Sequence, residues 1–409
     1  MTNRLFFDIK PDDWVFDKIV QECKDIGYYS LPKQDLSNLE DYKREFESKN
    51  SDITHLVVIG IGGSSLGLKA IYEALKNLRT FKRDLTFLES TDPHSIIEKT
   101  RHLNLQKTHF FIISKSGNTI ETISIYKYIL QLLIEKKIDC NYRFTYITEP
   151  NSPLEAHSKT TKSFLLHVNK NIGGRFSVLS AVGLAPLILI DADIDTLLKG
   201  ALYIKKSFFN NGYMQDILLK KATYYAKNSM RYNINSLFIY SESFEKFGEW
   251  YVQLWGESLG KKQINSSFNV GLTPISLIGP KDQHSFLQLL VEGLRDKSVT
   301  FLKIENFDKD LSIPDIKLEN MHSIDGISFN SLINFQADSV IDSLLSKGDI
   351  PLDIITLDFI NEENIGKLIY YYELLTSITA KLLGIDAYNQ PGVEESKKIL
   401  WKKLKEAKK

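Results

Sequence analysis

The chain has 409 residues, too many for one ordinary core, and its 43% hydrophobic and 25% charged content is that of a soluble globular protein built as two domains. With 51 basic and 51 acidic residues, no global charge draws it to nucleic acid or to an anionic membrane, so any anion must be held locally. Cys23 and Cys140 lie far apart and outside any metal-ligand spacing, the opening MTNRLFFDIKPDDW has no apolar h-region, and the run 182–190 is too short to span a bilayer. These features suit a reducing cytoplasm better than a disulfide framework and point to a soluble, cytoplasmic protein.

Residues 1–50 read as an N-terminal helical segment, with two polar helix-like pieces around 14–23 and 36–46. The core opens with the apolar strand 56–59, followed by Gly60-Ile61-Gly62-Gly63-Ser64-Ser65-Leu66-Gly67 and an amphipathic helix through Leu75. Strand, glycine-rich turn and helix is the layout of an anion-binding loop. The dinucleotide fingerprint is broken, because G-x-G-x-x-G counted from Gly60 needs glycine at 65, where Ser65 stands. A strand at 85–88 ends at Glu89, where a ribose-binding acid would sit, and this leaves an NAD(P)-dependent oxidoreductase as the competing enzyme class.

A helix near 95–102 leads to the strand 110–113, and then to Ser114, Lys115, Ser116, Gly117, Asn118 and Thr119 ahead of a helix with Ile120, Ile123, Ile129 and Leu133. Unpaired N–H groups and the positive end of a helix dipole, with hydroxyls and a lysine beside them, suit a phosphate dianion. The plainer alternative is a capping box formed by Asn118 and Glu121. Strands at 144–147 and 163–167 complete a first series, to which we assign 51–200, and the strand–helix alternation favours a parallel sheet covered on both faces. Asn171-Ile172-Gly173-Gly174-Arg175-Phe176-Ser177 is either a surface turn with a solvated arginine or a functional loop.

A second series occupies 201–387, with a helix at 215–232, strands at 236–241, 275–278, 299–304 and 353–357, and a long helix at 361–383. The two halves share a layout without a residue-level repeat, and no Pro/Ser-rich linker parts them, so they are expected to pack closely. Within this half, Gln253-Leu254-Trp255-Gly256-Glu257-Ser258-Leu259-Gly260-Lys261 sets a carboxylate between glycines at the end of an aromatic-rich helix, a candidate base. Asp282-Gln283-His284-Ser285 offers a histidine able to exchange protons near neutral pH. The last segment, 388–409, carries Tyr388-Asn389-Gln390-Pro391-Gly392-Val393-Glu394-Glu395-Ser396-Lys397, a Pro-Gly turn into a helix. HExxH, clustered Cys/His and GxSxG are absent, so a metal hydrolase or serine esterase has no support.

In order along the chain, GIGGSSLG, SKSGNTIET, GGRFSVLSAVGLAPL, QLWGESLGK, DQHSFLQL and NQPGVEESKK resemble the motifs of the phosphoglucose isomerase family in its short bacterial form, over about 55–400. The resemblance implies two SIS-type three-layer α/β/α domains with mainly parallel sheets. It also implies isomerisation of glucose 6-phosphate and fructose 6-phosphate without metal or other cofactor, by a homodimer whose active sites lie at the subunit interface. Carried over by motif, Ser64, Ser114, Lys115, Ser116 and Thr119 would bind the phosphate, and Gln253 and Gln390 would line the sugar site. Glu257 would be the base and Arg175 would stabilise the enediolate, while His284 from the neighbouring subunit and Lys397 would assist ring opening. The chain departs from the family pattern at Asn389, where Asp is usual, and at Ser65. A non-catalytic sugar-phosphate sensor of the same fold is the third reading; it would need the phosphate loop but not Glu257.

Overall fold

The protein is described by a computed structural model over residues 1–321 and 324–407. Its strands are β1 (Thr2–Leu5), β2 (His55–Ile59), β3 (Asp84–Leu88), β4 (Thr108–Ile113), β5 (Phe144–Thr148), β6 (Phe164–His167), β7 (Ile234–Ile239), β8 (Lys261–Lys262), β9 (Asn269–Val270), β10 (Thr273–Ile278), β11 (Lys297–Ile304) and β12 (Leu352–Leu357). The first sheet is parallel throughout, in the order β3-β2-β4-β5-β6. The second runs β1-β12-β11-β7-β10 and is parallel except at β1. Every residue of β4 and β5 is buried, as expected for central strands of a sheet covered on both faces.

Both sheets reverse their winding once. Chain order steps from β2 to β3 on one side and to β4 on the other, and in the same way from β7 to β10 and to β11. The repeat that the sequence shows only as a layout is therefore a repeat of topology. Ligands in open α/β sheets bind beyond the carboxyl ends of the strands where the winding reverses, and the two polar loops singled out above follow β2 and β4. A single apolar core joins the sheets: Val58 and Ile147 of the first and Leu237 and Ile355 of the second belong to it, along with helices Ala181–Leu189, Ile194–Phe209 and Glu362–Leu382. No helix is long and apolar enough to cross a membrane among the described residues.

The N-terminal segment differs from its expected all-helical form. Helices Trp14–Glu22 and Ser37–Lys49 are present, but Thr2–Leu5 is an antiparallel edge strand on β12. Its sequence, TNRL, carries too little apolar alternation to announce a strand; what holds it is distant. The Asn3 side chain donates to Asp353 Oδ2 at 2.7 Å and accepts from the Tyr371 hydroxyl at 2.6 Å. Asp353 in turn pairs with Lys221 at 2.7 Å, with both side chains buried.

Candidate active site

The loop after β4 is built to present a helix end. Gly117 has φ +70°, in the left-handed region that favours glycine, and its N–H bonds back to the Ser114 carbonyl at 3.0 Å. Helix Ile120–Glu135 starts after Thr119, which has extended backbone and gives no side-chain cap. The capping box read at Asn118 and Glu121 is thus not the one used. Ser114 is buried and its hydroxyl bonds to Thr119 Oγ1 at 2.8 Å and accepts from the Thr119 N–H at 3.3 Å, while Ser116 and Asn118 are exposed. Lys115 donates to the Lys170 carbonyl at 2.7 Å, and partial burial lowers its amino group from the usual lysine range.

The loop after β2 runs beside this one, since β2 and β4 are paired. A Cβ built on Gly60 would lie 3.2 Å from the Ile113 carbonyl, and one on Gly62 would lie 2.7 Å from Gln253 Nε2. At Gly63 a Cβ would overlap the carbonyl group of Gly174. Glycine here allows backbone against backbone, and the short helical turn Gly62–Ser64 is pressed onto the turn Gly174–Phe176 that carries Arg175. Ser65 is buried, and its hydroxyl makes a long 3.4 Å contact with the Gly62 carbonyl.

Glu257 sits near the C-terminal end of helix Glu245–Leu259. Its carboxylate accepts from Gln390 Nε2 at 2.8 Å and from Gln253 Nε2 at 3.4 Å, and Arg175 Nη1 lies 3.3 Å from Oε2. Its side chain is still 37% exposed, so it is oriented from several sides yet reachable. Arg175 is the reverse of a solvated surface arginine. It is buried, with Nε on Ser258 Oγ at 2.6 Å and Nη2 on the carbonyls of Ala387 and of Asn389, the latter at 3.2 Å. Burial pulls its pKa down and the Glu257 carboxylate opposes this. Of its five N–H donors, one on Nη1 is left for a ligand. Gln253 Oε1 is buried without a hydrogen-bond partner among the described residues, a free acceptor in the same wall.

Glu257, Lys261, Asp386, Asn389 and Gln390 face an open cleft of about 920 Å³. Lys261 was not given a role by the sequence, although it closes the QLWGESLGK motif. Its ammonium donates to the backbone carbonyl and, at 2.9 Å, to the side-chain oxygen of Asn389, and burial next to Arg175 pushes its pKa down to about 8. The side-chain oxygen of Asn389 thus helps to hold Lys261 at this turn. The carbonyl of Ala387 is likewise silent, because a backbone acceptor leaves no mark in sequence, and Ser258 is one serine among many.

Two expected residues stand apart from this cluster within one chain. His284 is exposed on the turn Lys281–His284 and has no hydrogen-bonding or ionic partner among the described residues. Lys397 pairs with Glu394 at 2.7 Å on helix Glu394–Glu406, which buries none of its residues. Glu89, the acid of the competing nucleotide reading, is ion-paired with Lys69 on the helix that follows the glycine-rich turn. Among the described residues no group of His, Cys, Asp and Glu is placed to hold a metal ion.

A family model described as phosphoglucose isomerase matches residues 41–409. The chain is 39% identical to glucose-6-phosphate isomerase of Campylobacter jejuni, with 98% of each chain covered. It is 36% identical to glucose-6-phosphate isomerase of Methanocaldococcus jannaschii, over 90% of this chain and 88% of that one. In structure it is similar to a hypothetical protein of Thermus thermophilus, with a TM-score of 0.86, 29% identity and coverage of 96% and 94% of the two chains. The match runs through the Ser114 loop, the Arg175 turn, Glu257 and the Gln390 turn, and the chain belongs to the phosphoglucose isomerase family.

Proposed function

We propose that the chain interconverts glucose 6-phosphate and fructose 6-phosphate, with Glu257 moving the proton between C1 and C2. The observation that carries this reading is the Glu257 carboxylate itself, exposed to the cleft and oriented by Gln253, Gln390 and Arg175 from three separate parts of the chain. In the aldose-to-ketose direction the base takes the C2 proton of the open-chain sugar. The C–H electron pair becomes the C1=C2 double bond, and charge collects on the C1 oxygen. The same carboxyl group then returns its proton to C1 while the O2 hydroxyl proton passes to the C1 oxyanion, so that C2=O2 forms, C1 carries a hydroxyl and the carboxylate is regenerated. Arg175 supplies a fixed positive charge beside this path, with one N–H free for the developing oxyanion.

Ser64, Ser114, Lys115, Ser116 and Thr119, with the N-terminus of helix Ile120–Glu135, hold the phosphate and so fix the carbons relative to Glu257. Gln253 and Gln390 bind sugar hydroxyls as well as the base. His284 and Lys397 complete the site when two copies associate as a homodimer, one contributing His284 across the interface, and they serve ring opening, an oxygen-to-oxygen proton transfer distinct from isomerisation. The surroundings are those of a cytoplasmic enzyme acting on small soluble substrates.

The test is purified, chelator-treated protein with fructose 6-phosphate in D2O, followed by NMR. Glucose 6-phosphate carrying deuterium at C2 is the expected product. Saturable binding of the sugar phosphate without conversion would replace the enzyme with a sensor.

A further inference from the structure

The family match begins at residue 41, yet residues 22–29 reach the two loops that build the Glu257 site. Glu22, the last residue of helix Trp14–Glu22, is nearly buried. Its Oε1 accepts from the Tyr29 hydroxyl at 2.9 Å and from the Tyr388 hydroxyl, and its Oε2 pairs with Lys381. The Tyr388 hydroxyl is also 2.9 Å from Ser377 Oγ, which is 2.8 Å from the Tyr28 hydroxyl. Tyr388 lies between the two carbonyls that hold Arg175 and just ahead of Gln390, which holds Glu257.

The same segment grips the other loop. The Tyr28 and Tyr388 rings both pack on Phe176, with centroids at 4.9 and 5.3 Å, and Phe176 directly follows Arg175. The Gly27 N–H donates to the Asn171 carbonyl at 2.9 Å, and a Cβ there would lie 2.7 Å from Ile172, just ahead of the Gly173–Gly174 turn. Buried charge-assisted hydrogen bonds of this kind are strong and directional, and removing one partner leaves the other unsatisfied. Burial, together with the Glu22 charge, pushes the Tyr388 phenol well up, so it stays a donor.

We propose that Glu22 and Tyr388 are positioning residues for isomerisation, forming a clamp that sets the Gln390 turn and the Arg175 turn against Glu257. Neither touches substrate. They act through the placement of a base that has to reach a carbon-bound proton, where a small misplacement far from the chemistry lowers rate more than binding. None of these contacts of Glu22 and Tyr388 reaches the loop after β4, so the loss is expected to fall on the rate more than on substrate affinity. This inference rests on the isomerase reading above.

The experiment uses the full chain with three variants: Tyr388→Phe, which removes only the hydroxyl, Glu22→Leu, and the two combined. Each single variant is expected to lower kcat roughly 10-fold or more, with KM within about twofold, and the double variant to be no worse than the poorer single. Glu22→Gln, which keeps an acceptor, is expected to restore most of the rate. The separating readout is the primary isotope effect with 2-deuterio glucose 6-phosphate. A misplaced base makes proton transfer more rate-limiting and raises it, whereas mere loss of folded molecules lowers kcat and leaves it unchanged. If Glu22→Leu does not fold, Tyr388→Phe carries the same comparison alone. Wild-type kcat in Tyr388→Phe, or a reduced kcat with an unchanged isotope effect, would overturn the clamp while the isomerase reading stands. A wild-type chain without turnover would overturn both.

Discussion

Glu373 lies in the middle of helix Glu362–Leu382, fully buried, and neither carboxyl oxygen has a hydrogen-bond partner among the described residues. Burial alone pushes its pKa well above the carboxylate range, so the native chain carries it as a neutral acid. Below about pH 4 the folded and unfolded chains both hold the proton, and the group adds no pH dependence. Above the unfolded value of about 4.3 only the unfolded chain releases it. The native state then loses about 1.4 kcal/mol of stability per pH unit until the pH reaches the native pKa. Glu373→Gln has nearly the same shape and no proton to release. Relative to wild type it is expected to gain stability as pH rises above about 4.3, by at most about 1.4 kcal/mol per pH unit for as long as the native chain holds the Glu373 proton. The assay is urea unfolding of both proteins at half-unit pH steps, comparing the two stabilities at each pH. A difference that does not change with pH would refute the reasoning, because it would mean that Glu373 is already ionised in the native chain.

Glu257→Gln is expected to retain sugar-phosphate binding and lower kcat at least ~100-fold, the lower range for loss of a general base, as measured by steady-state kinetics and direct binding; near-normal turnover would remove Glu257 from its role. Gly63→Ala forces a methyl into the Gly174 carbonyl group, so a stability loss of about 1–3 kcal/mol and a fall in kcat as the Arg175 turn is pushed away are expected, read by thermal unfolding and activity below the transition. Lys221→Met leaves Asp353 buried with its ion partner gone, at a cost of about 3–5 kcal/mol. Hydrogen exchange should then accelerate first at Thr2–Leu5, whose anchor is Asp353.

Much of the fold is written locally. Apolar runs such as Phe110-Phe111-Ile112-Ile113, helical spacing after Thr119 and the glycine turns at 60–67 and 171–177 are patterns a few residues long, and each produces its element where expected. The six ordered motifs go further and name the family, with Glu257, Arg175 and Gln390 as its expected site residues. The amino-acid order could not say that Arg175 would be buried, since a lone arginine between glycines and a phenylalanine reads as surface. It is buried because carbonyls at 387 and 389, more than two hundred residues away, replace its water.

The antiparallel strand at Thr2–Leu5, the Asn389 contacts of Lys261 and the hold of Glu22 on Tyr388 belong to the same class. In each the stabilising partner is a backbone oxygen or a side chain brought near only by packing of the two sheets around one core. Periodicity and turn chemistry act over one or two helical turns, so they determine elements and their order. Which distant groups meet is decided by how those elements close on one another, and that closure is where the carboxylate acquires its partners.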